Sequence, residues 1–230
     1  MCGRYSLATP PADLAERFDV RVPDDLSPRY NCAPGQELPV ITSRSPDRVE
    51  RLEWGLVPEW ADDDSRASIN ARAETVTEKP SFADAFERRR CLVPADGFYE
   101  WADRGTGKRP YRVAFEDDRP FAMAGIWERW TPPTAQAGLG DFGGGGVEVS
   151  ARETFAVLTT EPNDLVADLH HRMAVILSPE EERRWLEAGP GEALDLLDTH
   201  PDDELHAYPV SSAVGDVSND SPDLIEPASD

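Results

Sequence analysis

The sequence predicts an α+β fold built mainly from antiparallel β-sheets. At least eight apolar runs have the lengths and residue types that are typical of strands. They alternate irregularly with a few helical patterns, whereas a parallel sheet requires regular βαβ units. Apolar clusters also recur from Leu7 to Leu224 with no long linker between them. We therefore expect a single domain over residues 1–230, which is long enough to bury a sizeable core.

The predicted strands follow one another along most of the chain. The run 91–101 is almost wholly apolar or aromatic and predicts one interior strand. Residues 131–152 contain four consecutive glycines and predict a surface insertion, because no Gly-Lys-Ser/Thr motif of a phosphate loop follows them. Residues 218–230 predict an acidic tail. Further predicted strands include residues 38–42, 49–54, 111–115, 121–127, 155–160 and 173–177.

Helix signals lie between these strands. Pro11 begins a helix in which Leu14 and Phe18 fall one turn apart on the same face. Ser81 is expected to cap a second helix, and three arginines at its end would complement the helix dipole. A capping box begins a further helix at Ser178. Shorter helices or turns are expected at residues 163–169 and 194–197.

The composition is strongly acidic. The net charge is −22, the pI is about 4.4, and Lys79 and Lys108 are the only lysines. Phosphate binding ordinarily needs a basic footprint, so net charge alone argues against nucleic acid. A dispersed acidic surface with almost no lysine is, however, typical of adaptation to molar salt, and we expect a halophilic source. The Debye length is then only about 3 Å, so a local arginine cluster can still contact phosphate. An ordinary acidic protein that avoids polyanions is the alternative.

The sequence carries no membrane, targeting or metal signal. No stretch approaches the ~20 apolar residues of a membrane span, and the first residues lack the apolar core of a signal peptide. The three cysteines are far apart and odd in number, which suits a reducing compartment. The four histidines do not form metal-ligand spacing with them. We expect a cytoplasmic monomer with no membrane contact, no metal and no other cofactor.

Cys2 stands where removal of the initiator methionine would make it the amino terminus. It would then carry an α-amine with a pKa of ~7.7–8 and a thiol with a pKa of ~8.5 on adjacent carbons. The amine condenses with an aldehyde to an imine, and the thiol closes on the imine carbon to give a five-membered thiazolidine. In an arbitrary protein, a cysteine in this position is best explained as an accident of a frayed terminus, but other motifs of this sequence argue against that explanation.

Three further segments carry candidate functional residues. Glu100 lies inside an aromatic run, where burial would raise its pKa and supply a general acid, although a structural ion pair would also explain it. Asn70 and Arg72 point to the same side of the chain if this segment is extended. Trp60 adjoins an acidic loop and is either a core residue or a stacking platform for a base. Taken alone, its sequence context favours the core.

Six motifs occur in order along the chain: Met1-Cys2-Gly3-Arg4, Tyr30-Asn31-Cys32-Ala33-Pro34-Gly35, Trp54-Gly55-Leu56-Val57-Pro58, Ile69-Asn70-Ala71-Arg72-Ala73-Glu74, Gly97-Phe98-Tyr99-Glu100-Trp101 and His170-His171-Arg172-Met173. Together they resemble the SOS-response-associated peptidase family, the group of abasic-site processing proteins. The resemblance covers essentially the whole chain. It implies antiparallel sheets that form a barrel-like core flanked by a few helices. The implied substrate is single-stranded DNA that contains an abasic site, including at junctions with duplex.

The resemblance also implies a role for each matching residue. The expected product is a covalent thiazolidine crosslink between DNA and Cys2, which shields the lesion, with strand-cleaving lyase chemistry as a competing reaction. Cys2 would be the nucleophile, Asn70 would hold it and the sugar, Glu100 would transfer protons, and His170 would stabilise charge. The implied DNA contacts are phosphate contacts from Arg4, Arg72 and Arg172, a hydroxyl donor in Thr159, and a stacking or wedge residue in Trp60.

The sequence departs from the family pattern at two places and leaves alternatives open. His171 and Ala174 replace residues that are usually Asp and Pro, and alignment from Asp168 favours His170 as the active imidazole. Gly215 replaces a position that is usually Asn. The family name implies a second hypothesis, a thiol autopeptidase or peptidase that removes the residues before Cys2. Only Met1 precedes Cys2, however, and an ordinary aminopeptidase could remove it. A third is a non-covalent reader of modified DNA bases, which needs a groove but no thiol.

Overall fold

β-Strands are the predominant regular secondary structure in the described residues, as the sequence predicts. The structure is a computed structural model that describes residues 2–103, 105, 107–132 and 150–228. Its strands are β1 (Tyr5–Leu7), β2 (Arg29–Cys32), β3 (Glu37–Thr42), β4 (Ser45–Trp54), β5 (Asn70–Arg72), β6 (Arg90–Ala95), β7 (Gly97–Asp103), β8 (Lys108–Phe115), β9 (Phe121–Trp130), β10 (Arg152–Thr160), β11 (Met173–Ala174), β12 (Ile176–Leu177) and β13 (Leu205–Pro209). Its helices are α1 (Pro11–Phe18), α2 (Ala83–Arg88), α3 (Asp164–Ala167), α4 (Pro179–Glu187) and α5 (Pro190–Leu194).

Five strands close into a barrel. The order is β10-β4-β3-β6-β9, and β9 pairs back onto β10. The β10–β4 pair is parallel and the other four pairs are antiparallel. Closure removes the free edges that an open sheet would expose. The expected α+β class with a barrel-like core of mostly antiparallel sheets is therefore confirmed.

A second sheet carries the start of the chain. Its order is β13-β8-β7-β1-β2, and each neighbouring pair is antiparallel. In the β1–β7 pair, Tyr5 lies opposite Phe98 and the Tyr99 N–H donates to the Arg4 carbonyl at 2.9 Å. This register sets Glu100 beside the residues that precede β1. The predicted interior carboxylate and the predicted nucleophile thus belong to neighbouring strands.

Large aromatic side chains fill the centre of the molecule. Trp54 is fully buried, stacks on Phe155 with 6.1 Å between ring centroids, and lies 5.3 Å from the Tyr5 ring. Each such pair contributes about 0.5–1.5 kcal/mol beyond the burial of its area. The Trp54 indole N–H also donates to the Ile69 carbonyl at 2.8 Å. The core therefore fixes the position of the residue immediately before Asn70.

The predicted single strand 91–101 was wrong, because Asp96 divides it into β6 and β7. Asp96 is 3% exposed, and its carboxylate accepts hydrogen bonds from the Ser6 hydroxyl and the Thr9 N–H at 2.7 and 2.8 Å. The guanidinium of Arg112, 2% exposed, also donates to this carboxylate and to the Asp96 carbonyl. The buried charge is compensated, so the chain can turn here and pass from the barrel to the second sheet.

Two helix predictions also needed correction. The helix assigned to a Ser81 cap begins after Phe82, which makes no side-chain capping bond. Of the three arginines expected at its end, Arg90 belongs to β6 and is only 4% exposed. Its guanidinium donates to carbonyl oxygens at the ends of α2 and α4, including Phe86 and Trp185. A buried cation thus satisfies the last carbonyls of two helices at once.

The two segments that the sequence set apart are only partly described. Residues 133–149 of the predicted insertion lie outside the described residues, and β10 already begins at Arg152. Residues 218–228 of the predicted tail pack against the second sheet, with Leu224 at 1% exposure. Asp220 accepts from the backbone N–H groups of Tyr30 and Asn31 at 2.6 and 3.1 Å. Among the helices of the described residues, none is long and apolar enough to cross a membrane.

Gly97 offers a test of the buried Arg112 site. A Cβ added at Gly97 would lie 2.5 Å from Arg112 Nε, and this guanidinium is fixed by Asp96 and Tyr208. We expect Gly97→Ala to lower the free energy of unfolding by about 1–3 kcal/mol through overpacking. Gly191→Ala is the control, because its Cβ meets no atom within 4 Å and it lies in α5. Equal urea midpoints for the two variants would contradict the expectation.

Candidate active site

Cys2 is enclosed by the protein. It is 0% exposed, belongs to the main core cluster and forms no disulfide. Burial raises the pKa of its thiol far above the usual range, and the nearby charge of Glu100 raises it further. The resting side chain is therefore a neutral thiol, and it needs a proton acceptor before it can act as a nucleophile.

Asn70 holds the backbone of Cys2. The short strand β5 pairs in parallel with β10, so Asn70 lies opposite Val157. Its side-chain Nδ2 donates to the Cys2 carbonyl oxygen at 2.9 Å. Its Oδ1 is buried and, among the described residues, meets no hydrogen-bond donor. A buried amide acceptor without a donor costs free energy, so it is available to a group that enters the site.

Glu100 is a buried carboxyl group with a raised pKa, as its aromatic sequence context predicts. It is 3% exposed on β7, and burial raises its pKa from 4.5 to about 7. A carboxyl group with this pKa is protonated for about half the time at neutral pH, which suits a group that both gives and takes protons. The pairing of β1 with β7, in which the Tyr99 N–H donates to the Arg4 carbonyl, brings Glu100 near the start of the chain. Besides burial, the charge of Glu100 accordingly raises the pKa of the Cys2 thiol.

His170 lies in the loop between α3 and β11, where it contacts Val166, His171 and Arg172. Asn163 caps α3 by accepting from the Val166 N–H at 2.9 Å, and the His170 N–H donates to the Val166 carbonyl at 2.8 Å. The half-buried ring packs against His171, with 4.3 Å between ring centroids. Burial lowers the pKa of His170, which favours the neutral ring at pH 7.

The predicted phosphate contacts differ in how free their side chains are. Arg72 is exposed on β5 and lies opposite Thr159 of β10. Thr159 is 1% exposed, and its hydroxyl lies 3.4 Å from the Ala71 carbonyl. Arg172 is 9% exposed, and both terminal nitrogens of its guanidinium already donate to Glu74. Arg72 can reach a phosphate directly, whereas Arg172 would have to share or exchange its carboxylate partner.

Arg4 is held by the end of the chain. Its Nη1 donates to Asn31 Oδ1 at 2.7 Å and to the Val214 carbonyl at 2.6 Å. The Asn31 side-chain NH2 donates in turn to the carbonyls of Asp216 and Asn219 at 3.0 and 2.8 Å. Burial lowers the pKa of Arg4. Asn31 therefore joins the segment after β13 to the residue two positions from Cys2.

Trp60 is not a core residue, so the interpretation favoured by its sequence context was wrong. It is 52% exposed, its indole N–H donates to the Pro80 carbonyl at 3.2 Å, and the Arg66 guanidinium lies 5.5 Å from its ring centroid. The segment that follows Trp60 is rich in charged residues and is exposed, so it does not cover the ring. An exposed, anchored ring has the geometry of a stacking platform.

The structure thus brings Cys2, Asn70 and Glu100 into one buried site. Sequence reasoning gave no role to Asn31, which holds Arg4, or to Glu74, which holds Arg172. Both lie inside quoted motifs, and Glu74 could have been noticed as a carboxylate two residues after Arg72, in the 3-10 turn Ala73–Thr75 that follows β5. The described residues contain no group of three or more His, Cys, Asp or Glu side chains that could hold a metal ion.

The fold and the site together define a β-barrel protein with a candidate cysteine nucleophile, an adjacent carboxylic acid and a positioned amide. A model of the family described as SOS response associated peptidase matches residues 1–217. The chain belongs to this family.

Individual relatives agree with this assignment. Abasic site processing protein YoqW of Bacillus subtilis (strain 168) is 40% identical over 237 residues, which cover 98% of this chain and 99% of YoqW. Abasic site processing protein YedK of Escherichia coli (strain K12) is 31% identical over 238 residues, which cover 99% of this chain and 100% of YedK. A crystal structure of a protein from Bacteroides thetaiotaomicron is 29% identical in sequence and has a TM-score of 0.85. The match covers 99% of this chain and 100% of that chain.

Proposed function

We propose that this protein captures abasic sites in single-stranded DNA as a covalent thiazolidine formed by the α-amine and thiol of Cys2. The hydrogen bond from Asn70 to the Cys2 carbonyl, next to the buried acid Glu100, is the observation that carries the proposal. It fixes an amine-bearing and thiol-bearing residue beside a proton donor of suitable pKa. The relatives named above are themselves abasic site processing proteins.

The proposed reaction balances with Glu100 as the only proton carrier. The amine of processed Cys2 adds to the aldehyde of the ring-opened sugar and gives a carbinolamine. Protonated Glu100 donates to its hydroxyl, water leaves, and an iminium ion remains. The Glu100 carboxylate then takes the thiol proton, and the sulfur closes on the iminium carbon. Glu100 is protonated again at the end, and the net change is the loss of one water.

Asn70 and His170 would assist without changing this balance. The Asn70 Oδ1 atom is an acceptor for the Cys2 amine or for a sugar hydroxyl, while its Nδ2 keeps the Cys2 backbone in place. The neutral ring of His170 can donate a hydrogen bond to the sugar oxygen on which charge develops as the ring opens. Ring closure by the thiol competes with β-elimination, so rapid thiazolidine formation would suppress strand cleavage.

DNA binding by so acidic a chain requires local contacts. We propose Arg4, Arg72 and Arg172 as phosphate contacts, Thr159 as a hydroxyl donor close to Arg72 and Arg172, and Trp60 as a stacking residue. The exposure of Arg72 and Trp60 supports these two most directly. Because molar salt screens charge beyond about 3 Å, the repulsion from the net charge of −22 would matter least there.

Intact mass tests the proposal. Protein purified and then incubated at molar salt with a single-stranded oligonucleotide carrying one abasic site should lack Met1 and should gain the DNA mass minus one water. Sodium borohydride should not be needed for the adduct to survive denaturation. Processed protein that forms no adduct at molar salt would exclude the capture reaction.

Trp60 can be tested independently of the reaction. Trp60→Ala should weaken non-covalent binding to an oligonucleotide with a stable abasic analogue about tenfold, since base stacking on an aromatic ring contributes about 1–3 kcal/mol. Trp60→Phe should retain most of the affinity, although it also loses the hydrogen bond to Pro80. Leu194→Ala, 42% exposed on α5, is the control for loss of exposed apolar area. Equal affinities for the alanine and phenylalanine variants, measured by fluorescence anisotropy, would argue against stacking.

Peptidase activity is the second candidate, because the matching family carries that description. The Cys2 thiol and Glu100 are the groups that it would use. A peptidase should cleave a peptide substrate whether or not DNA is present, which separates it from the capture reaction.

A further inference from the structure

Glu74, which has no role in the function proposed above, holds the guanidinium of Arg172 at the end of β10. The Arg172 Nη1 and Nη2 atoms donate to the two carboxylate oxygens of Glu74 at 2.6 and 2.9 Å. Nη2 also donates to the Thr159 carbonyl at 2.6 Å. The guanidinium is thereby fixed both by the turn after β5 and by the end of β10. We call these three residues the Arg172 clamp.

The backbone of Arg172 in turn faces His170. The Arg172 N–H lies 3.1 Å from His170 Nδ1, and the Arg172 carbonyl oxygen also lies 3.1 Å from this atom. A neutral ring with its proton on Nε2 accepts from the N–H, whereas a protonated ring donates from Nδ1 to the carbonyl. One residue therefore offers a hydrogen-bond partner for each protonation state of the imidazole.

The exposure and the geometry of the Glu74–Arg172 ion pair indicate its main effect. Its side chain is 45% exposed, and an ion pair with so exposed a partner adds little to stability. A bidentate carboxylate–guanidinium pair, however, restricts direction as well as distance. Glu74 therefore acts mainly by fixing the positions of the Arg172 side chain and of the adjoining peptide groups.

We propose that Glu74 is a positioning residue for His170, because it anchors Arg172 and so fixes the peptide groups that orient the imidazole. The catalytic consequence of this proposal rests on the function proposed above. The effect of Glu74 on the orientation of the His170 ring is a property of the protein alone and can be tested without DNA. Glu74 touches neither the substrate nor the reacting atoms in this role.

The first test observes the imidazole directly. In protein labelled with nitrogen-15, the His170 ring should show one predominant tautomer with its proton on Nε2, assigned with the His170→Ala variant. Glu74→Gln is nearly isosteric but removes the charge-assisted pair, and it should shift the His170 ring nitrogens toward a mixture of tautomers. Glu53→Gln is the matched control, since Glu53 forms a comparable bidentate pair with Arg152 at 3.1 and 2.5 Å.

The second test measures the reaction at saturating DNA. Glu74→Gln should slow crosslinking about 10–100-fold, because small misplacements of a reacting group cost this much. Its affinity for DNA with a stable abasic analogue should not fall, because loss of the Glu74 charge leaves Arg172 freer to contact a phosphate. In the His170→Ala background the same substitution should cause no further slowing, as expected when one residue acts through the other. The Glu53→Gln control should react at the wild-type rate.

Several outcomes would overturn the proposal. They are an unchanged His170 ring spectrum in Glu74→Gln, equal slowing in the presence and absence of His170, or equal slowing by the Glu53→Gln control. If wild-type protein forms no adduct, the proposed function fails while the ring spectrum still decides the positioning role. If Glu74→Gln does not fold, Glu74→Asp keeps the charge but withdraws the carboxylate, and it should shift the same ring nitrogens.

Discussion

Cys2→Ala should abolish the stable adduct completely while it retains the binding of DNA with an abasic site. The alanine variant still presents an α-amine after removal of Met1, so it can form an imine, but it has no thiol to close the ring. The adduct should therefore survive denaturation only after reduction with sodium borohydride. Strand cleavage should increase, because an imine that is not trapped undergoes β-elimination. Denaturing gels with and without the reductant measure both effects.

The same experiment includes a control variant and distinguishes the capture reaction from the alternative functions. Cys32→Ala removes another fully buried thiol, so it reports any loss of stability without loss of the nucleophile. It should crosslink like the wild type. A non-covalent reader would be indifferent to Cys2→Ala, and a peptidase would lose peptide cleavage. A stable adduct of the alanine variant without reduction would contradict the thiazolidine.

Glu100→Gln should slow crosslinking roughly 100-fold, the size expected for the loss of one general acid–base group. It should also change the pH profile. Wild-type capture needs protonated Glu100, whose pKa is about 7, and a deprotonated α-amine, whose pKa is about 8. The rate should therefore peak between these values and decline at higher pH. The glutamine variant should lack this decline, which single-turnover rates at several pH values would reveal.

The same residue affects stability in a predictable direction. The folded protein binds the Glu100 proton more tightly than the unfolded chain, so stability should fall as pH rises from 4.5 to about 7. The free energy of unfolding falls by about 1.4 kcal/mol for each pH unit in this range, so the total loss is about 3 kcal/mol once the pH exceeds about 7. Glu100→Gln should remove this cost and raise stability at pH 8.

A second buried carboxyl group provides the control. Glu182 is 7% exposed on α4, burial raises its pKa, and it pairs with Arg17 away from Cys2. Glu182→Gln should leave the rate and pH profile of crosslinking unchanged. If Glu182→Gln slowed the reaction as much as Glu100→Gln, the effect of Glu100 would be general destabilisation and not proton transfer.

The sequence predicted the parts of the fold that local chemistry determines. The proline start and apolar spacing of α1 and the capping box at Ser178 correspond to observed helix starts. Asp96 could not be recognised as a strand break, because the groups that compensate its charge come from Ser6, Thr9 and Arg112, far away in the chain. Long-range partners decide whether a buried charge is tolerated, and local patterns do not contain them.

In the candidate site, too, local features could be predicted from the sequence and long-range contacts could not. Burial of Glu100 follows from its aromatic neighbours, and its raised pKa was accordingly expected. The environments of Arg172 and Thr159 were not foreseen, because the clamp joins segments nearly one hundred residues apart. Trp60 was misjudged because an aromatic residue at a turn is usually buried, and only the path of the following acidic residues leaves its ring in solvent.

The contact between Arg4 and Val214 spans 210 residues of the chain. During synthesis, Arg4 leaves the ribosome long before its acceptor exists, so the nascent amino terminus cannot yet be held in its final place. If Cys2 is processed as proposed, the enzymes that remove methionine would meet it while it is still accessible. The finished fold would then enclose the new terminus when β13 and the segment after it dock. The order of folding would thus separate, in time, the maturation of the proposed nucleophile from its burial.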